Sequence, residues 1–444
     1  MPLPAGPNTH PALQLWQWVR NPLEVMERNA AEFGGMFTMR WAGLKTIVMV
    51  SDPEAMQTTL TNPALIAPGE SNEIARPLVG DRSVILMSGE EHQRRRKLLM
   101  PPFHGDRLVS YGQIITKITD QVFAQIGSNQ AFNVRETTQE ITLRVILQVV
   151  FGLYEGDRLE LLKQRLVTRL EVSATKLGAL FIFLPFLRQN WGDWSPWGQV
   201  MRKQRLCDEL IYAEINERRS HPDPARIDIL NLLLATQDED GNYLGDVDLR
   251  DELMTLLFAG HETTASSLAW ALYWVHRFPD VYAKLMSELQ SLGDRPDPMA
   301  IFKLPYLTAV CNETLRINPV AMTTFSRKVK TPVEISGQML DAGTEVLASI
   351  YLTHQREDLY PEPKKFRPER FLERQFSPYE FVPFGGGSRR CLGMALAQFE
   401  MKIILATILI NTKLSLINPE LELHPVRRGA LLAPEASFSM IKSS

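Results

Sequence analysis

Phe384-Gly385-Gly386-Gly387-Ser388-Arg389-Arg390-Cys391-Leu392-Gly393 is the stretch from which the fold is read. Three glycines run into two arginines and then a cysteine. Directly behind it, Leu392, Ala395, Leu396, Phe399, Ile403, Ala406 and Leu409 recur at helical spacing. That pattern predicts a buried helix starting at or just after Cys391. Free N–H groups and the positive end of the helix dipole favour a thiolate at such a place. Glycines accept φ > 0 and let a flat partner come close to the backbone. A lone cysteine behind a flexible loop is more often structural. A thiolate caged this way is also suited to be an axial iron ligand, its electron donation tuned by hydrogen bonds.

Composition narrows the class. The chain has 444 residues, with 48 Lys+Arg against 51 Asp+Glu for a net charge of −3. The near-neutral balance argues against nucleic acid as a partner. Neither a linker of low complexity nor a repeat period is visible, so residues 1–444 read as a single unit with a smaller lobe. Cys207, Cys311 and Cys391 are odd in number and far apart. They suggest neither a disulfide framework nor a zinc site, and fit a reducing cytosol. The opening, Met1-Pro2-Leu3-Pro4-Ala5-Gly6-Pro7, lacks an apolar run long enough to span a bilayer. A soluble, cytoplasmic, monomeric protein with at most peripheral membrane contact is the expectation.

Along the chain, residues 12–34 read as one helix ending at Gly34-Gly35. Strand patterns follow at Met36–Trp41 and Thr46–Val50, joined across Gly43. Asp52-Pro53-Glu54 opens another helix. This hairpin is the one clear sheet before the C-terminal third. Residues 62–88 read as a long irregular loop, a length that usually signals function or disorder. In Gly89–Leu99, His92 and Arg96 lie one turn apart on one helix face. Residues 107–240 read as helical, with polar breaks at Gly127-Ser128-Asn129 and after Ser220. Within them Leu177–Leu187 is an apolar stretch too short to cross a membrane, followed by Trp191, Trp194 and Trp197. The pattern from Asp248 to Arg277 predicts a long helix whose centre is Ala259-Gly260-His261-Glu262-Thr263-Thr264. Glycine and threonine both weaken a helix, so the cluster needs a reason. A hydroxyl bonding back to the preceding turn accounts for Thr264, and His261 reads as a helix-surface residue rather than an iron ligand. Glu313 and Arg316 are three apart on a helix and can pair. Strand-like pieces at Phe325–Val329, Val333–Ile335 and Glu345–Ser349 complete a β-rich lobe of about 36–60 and 320–355.

Phe384, Gly387, Arg389, Cys391 and Gly393 match the pattern Phe-x-x-Gly-x-Arg-x-Cys-x-Gly in full. With Ala259–Thr264 and Glu313-Thr314-Leu315-Arg316 in the same order, the whole chain resembles the cytochrome P-450 family. The resemblance implies a mainly α fold with a small β lobe and haem b (iron protoporphyrin IX) bound through Cys391. Phe384, Arg389 and Gly393 belong to that haem-binding signature. His92, Arg96 and Arg327 fall where relatives bind the haem propionates. Arg370 joins Glu313 and Arg316 in a buried structural triad. Gly260 would let a ligand near the backbone, while Glu262 and Thr263 would deliver protons. The loop 62–88 would cover the substrate pocket, and Leu177–Leu187 would roof it. Phe181, Phe183, Phe258, Ala259, Met322, Thr323 and Leu432, the last in a C-terminal hairpin, would line it.

The implied reaction is insertion of one oxygen atom from O₂ into a C–H bond. The thiolate's electron push favours O–O cleavage, and electrons come singly from a ferredoxin and ferredoxin-reductase type donor. The detailed sequence resembles members that hydroxylate retinoids, which implies retinoic acid or an apocarotenoid as substrate. A fatty-acid hydroxylase, a peroxygenase or isomerase, and a non-catalytic haem sensor are the alternatives. Peroxygenases and isomerases tend to lose the acid–alcohol pair that Glu262-Thr263 retains. Arg94, Arg95, Lys97 and Arg390 flank these motifs and suggest a basic face for an acidic electron donor.

Overall fold

The computed structural model describes residues 2–42, 45–103, 105–154, 156–174, 181, 187–293, 296–435 and 438–443. Gly43, most of Leu177–Leu187 and the predicted pocket residue Phe183 lie outside them. The chain is mainly helical, with four small sheets among the described residues: a five-stranded sheet with its own apolar cluster, a three-stranded sheet packed against the helical core, and two two-stranded ribbons.

The predicted N-terminal helix is two helices, Pro11–Arg20 and Pro22–Phe33. Pro22 has no N–H to give to the preceding turn, so the helix restarts there. Gly34, at φ 83°, ends the second. Strands Met36–Arg40 and Thr46–Val50 pair antiparallel, as the alternation predicts. Thr46–Val50 then pairs in parallel with Glu345–Ala348, almost three hundred residues later. Arg327–Val329 and Leu65–Ile66 extend this sheet to five strands. Thr46–Val50 is an interior strand buried from Ile47 to Val50, which explains its near-unbroken apolar run. Asp52 caps the next helix by accepting from Ala55 N at 2.8 Å, with Pro53 in its first turn.

Two expectations need correction here. Residues 62–88 are not simply irregular: they hold the edge strand Leu65–Ile66, a 3₁₀ turn at Gly69–Ala75 and a short helix at Arg76–Val79. The run 107–240 also contains a strand, Gln130–Asn133, which pairs with Ser439–Lys442 near the C-terminus. Local pattern could not reveal it, because its partner is some three hundred residues away.

The long helix runs Asp246–Arg277 through the core. From Thr264 to Tyr273 every residue is buried, and Trp270, Tyr273, Trp274, Phe278 and Phe366 stack there edge-to-face and face-to-face. The cysteine helix, Met394–Asn411, packs against it. By length and composition it could cross a membrane, but 61% of that window is buried inside the protein. It is a core helix, and its position fixes where Cys391 sits.

Candidate functional site

Cys391 stands three residues before that helix. Its backbone N–H donates to Phe384 O at 2.9 Å, closing the loop. Gly385 and Gly387 take φ 65° and 63°. A Cβ on Gly387 would lie 1.9 Å from Leu60 O, so only glycine lets the loop seat on the helix Pro53–Thr61. Around Gly393 there is open space instead. The Gly393 N–H donates to the Cys391 sulfur, and Arg96 and Arg390 add positive charge. Burial nonetheless dominates and pushes the thiol above its usual range. Cys391 has accessible surface all the same, so that surface faces a narrow recess rather than bulk water. Cys207 and Cys311 are buried, with thiols pushed up to about 11 and about 12. Among the three, Cys391 alone can meet a ligand.

On the long helix, Ala259 is exposed and Phe258, Gly260 and Thr263 are half-exposed, between fully packed Leu257 and Thr264. An exposed alanine mid-helix within a core marks an internal recess. Thr263 Oγ1 donates to Ala259 O, one turn back; the back-bond anticipated for Thr264 falls on Thr263. Gly260 has a packing reason: a Cβ there would meet Ile146 Cδ1 at 3.0 Å. His261 is buried, not on the helix surface, and lies 2.9 Å from Thr142 Oγ1. Burial holds it neutral, at about 4. Glu262 points toward the helix Val134–Val149, accepting from Arg135 and Gln139 at 2.6 Å each.

Around the cysteine loop, basic groups gather without acids. Arg327 is almost fully buried and donates to Phe325 O at 2.7 Å and Gly386 O at 3.3 Å. Arg389 donates to Val84 O at 3.1 Å and Ala67 O at 2.8 Å, clamping the 62–88 segment to the cysteine loop. Burial lowers each guanidinium to about 10, and Arg389 also feels Arg327 and Arg96. His92 is held neutral, at about 4, by burial and then by Arg389, Arg96 and Arg327. Among the described residues none of these four makes an ion pair. Converging buried cations are costly unless an anion lies between them.

The pocket residues are not all brought together. Phe181 is buried edge-to-face on Trp197 at 5.3 Å. Met322 and Leu432 share a packed cluster with Trp18 and Phe37, and Thr323 bridges to Ser349. The hairpin is present, as Pro425–Arg428 paired with Leu431–Pro434, and Leu432 N donates to Val320 O at 2.8 Å. The basic docking face does not form as drawn. Arg95 is spent on Asp248 and Glu252, Lys97 pairs with Glu239 and Arg94 with Glu90. Arg390 remains, its guanidinium 3.2 Å from Met394 sulfur.

A dianion among the cations and a metal on the thiolate are supplied together by haem, so the donor set defines a haem-thiolate site. The chain belongs to the cytochrome P450 family, whose model matches residues 4–440, and it is accordingly a monooxygenase. It is 37% identical to cytochrome P450 135B1 of Mycobacterium tuberculosis over 94% of this chain and 86% of that protein. Cytochrome P450 138 of the same organism is 34% identical, covering 87% and 84%. The cyanobacterial CYP120A1 solved with retinoic acid bound superimposes with a TM-score of 0.86 at 26% identity, covering all of both chains. The cytochrome P450DA haem domain gives 0.84 at 23% identity, a likeness of fold.

Proposed function

We propose that this monooxygenase hydroxylates a long, rigid, apolar molecule with one polar end, retinoic acid or a related apocarotenoid, on haem b. The carrying observation is the apolar recess at Phe258 and Ala259, opened in the middle of a buried helix. The full-length likeness to a protein that holds retinoic acid directs the choice among apolar substrates. A conjugated chain also loses less entropy on ordering than a fatty acid of similar polarity.

Haem, when bound, supplies the oxygen chemistry. Cys391 is the residue to ligate its iron; the Gly393 N–H, with Arg96 and Arg390, favours the thiolate and tempers its donation. Arg96, Arg327, Arg389 and His92 would hold the propionates, since they gather there without an acid to pair with. Phe258 and Ala259 exclude water and present apolar surface to the substrate. Thr263 donates its O–H hydrogen bond to Ala259 O, which leaves its oxygen lone pairs free to accept from a water or a ligand in the recess. Glu262, next in sequence, is the ionisable group nearest to that hydroxyl along the chain, and Arg135 and Gln139 set its orientation. Electrons would come from a ferredoxin-type donor near Arg390, which lies exposed beside Cys391.

The test is a titration following the haem spin-state change, with product analysis under a surrogate ferredoxin system. Retinoic acid should respond at low micromolar concentration or below and more tightly than palmitic acid. A clear fatty-acid response with none to retinoids would overturn the substrate assignment.

A further inference from the structure

Glu262 has more cationic neighbours than its hydrogen bonds use. Its two oxygens accept from Arg135 and Gln139, although a carboxylate offers about four acceptor sites. Arg428 stands with its Nε 3.8 Å from Glu262 Oε1. That Nε is buried and has no hydrogen-bond partner, and neither has the Nε of Arg135. Buried guanidinium donors are seldom left unpaired, and these two repel one another. The carboxylate between them is what makes the arrangement tolerable. Arg428 belongs to neither helix. It ends the strand Pro425–Arg428 and faces Leu431 across the Gly429 turn. The returning strand packs along the long helix and is pinned by Leu432 N to Val320 O.

We infer that Arg428 is a positioning residue for the oxygen-side acid: a second clamp on Glu262, mounted on the C-terminal hairpin, that transmits the hairpin's position to the carboxylate. A shift of about 1 Å would bring its Nε–H to charge-assisted hydrogen-bond distance. A ligand pressing on the hairpin would therefore change which guanidinium holds Glu262, and with it the acid's approach to Thr263. The role in turnover rests on the monooxygenase reading above; the pairing itself does not depend on which substrate is used.

The experiment uses the haem-loaded full chain with Arg428→Gln, Arg428→Lys, Glu262→Gln and the double variant Glu262→Gln/Arg428→Gln. Without substrate, amide hydrogen exchange over residues 425–434 should quicken by about threefold or more in each Gln single variant and no further in the double, as expected of two groups in one interaction. With a surrogate ferredoxin system, peroxide released per reductant consumed should rise in Arg428→Gln by about fivefold and be largely restored in Arg428→Lys, since one positioned proton donor is worth more than that. Additive or absent exchange effects, or unchanged peroxide, would overturn the inference. A failed spin-state response to retinoic acid alongside the expected exchange and peroxide pattern would remove the substrate assignment and leave Arg428 in place.

Discussion

Glu313, Arg316 and Arg370 form one buried charge cluster; His92, Arg96, Arg327 and Arg389 form another. In the first, Glu313 accepts from Arg316 at 2.7 and 2.9 Å, from Arg370 at 3.3 Å and from the Arg367 N–H at 2.9 Å. Arg316 also donates to His354 O and lies over the Tyr360 ring. Every strong group there has its partner within the chain. In the second, cations meet backbone carbonyls and one another. The first cluster is finished by folding and locks the segment that leads to the cysteine loop. The second is finished only by an anionic ligand. A complete network marks structure and an incomplete one marks a binding site, even though both are rich in arginine.

The largest effect expected is at the residue that the second cluster surrounds. Cys391→Ala should lose the thiolate-type carbon monoxide spectrum altogether, while Cys207→Ala and Cys311→Ala keep it. A normal spectrum in Cys391→Ala would make the incomplete cluster something other than a haem cradle. Next comes the complete cluster. Glu313→Gln leaves two buried guanidinium groups short of their counter-charge, at a cost of about 3–5 kcal/mol. Denaturant unfolding should show that loss, and a change near zero would mean that the triad is not a lock.

The incomplete cluster should behave differently. Arg327→Met removes a buried cation that has no acid to leave behind. Folding stability should change far less than in Glu313→Gln, while haem should transfer to an apoglobin acceptor faster, by roughly ten- to a hundredfold for about 1.5–3 kcal/mol of charged hydrogen bonding. If Arg327→Met unfolds as readily as Glu313→Gln, the two clusters do not differ in kind.

Much of this was legible in the sequence because the informative groups are near neighbours there. The cysteine loop runs straight into its helix, Glu313 and Arg316 share one turn, and Gly260 to Thr264 interrupt an apolar helix. What stayed hidden depends on partners far along the chain. Glu262 meets Arg135 across 127 residues and Gln139 across 123. Arg95 looks like part of a basic face until the fold brings Asp248 and Glu252 onto it. His261 looks exposed in a helix pattern, but the neighbouring helix covers it through Thr142. Gly260 is read as a place where a ligand nears the backbone, and the group that a Cβ there would meet is Ile146, from a helix more than a hundred residues earlier.

Two histidines give the finest comparison of the clusters. His354 is fully buried beside the complete cluster, its Nε2 accepting from Val382 N at 2.9 Å, and burial followed by Arg316 lowers it to about 3. His92 is lowered to about 4, by burial and then by three arginines. Both are held neutral, so in both cases the unfolded chain takes up a proton near pH 6.5 and the folded chain does so only near its own lowered value. Stability from these sites is therefore full above about pH 6.5 and is lost as pH falls toward 4. An anion set among Arg96, Arg327 and Arg389 offsets the repulsion acting on His92 and raises its pKa; it does not touch the causes acting on His354, which are burial and then Arg316. In the diamagnetic carbonmonoxy form, ring resonances should thus show His92 titrating clearly above 4, by a unit or more, and His354 still neutral at the acid edge of folding. If His92 stays as low as in the chain without its ligand, the propionates lie elsewhere. If both histidines rise together, the cause is loosening of the fold and not an anion at the second cluster.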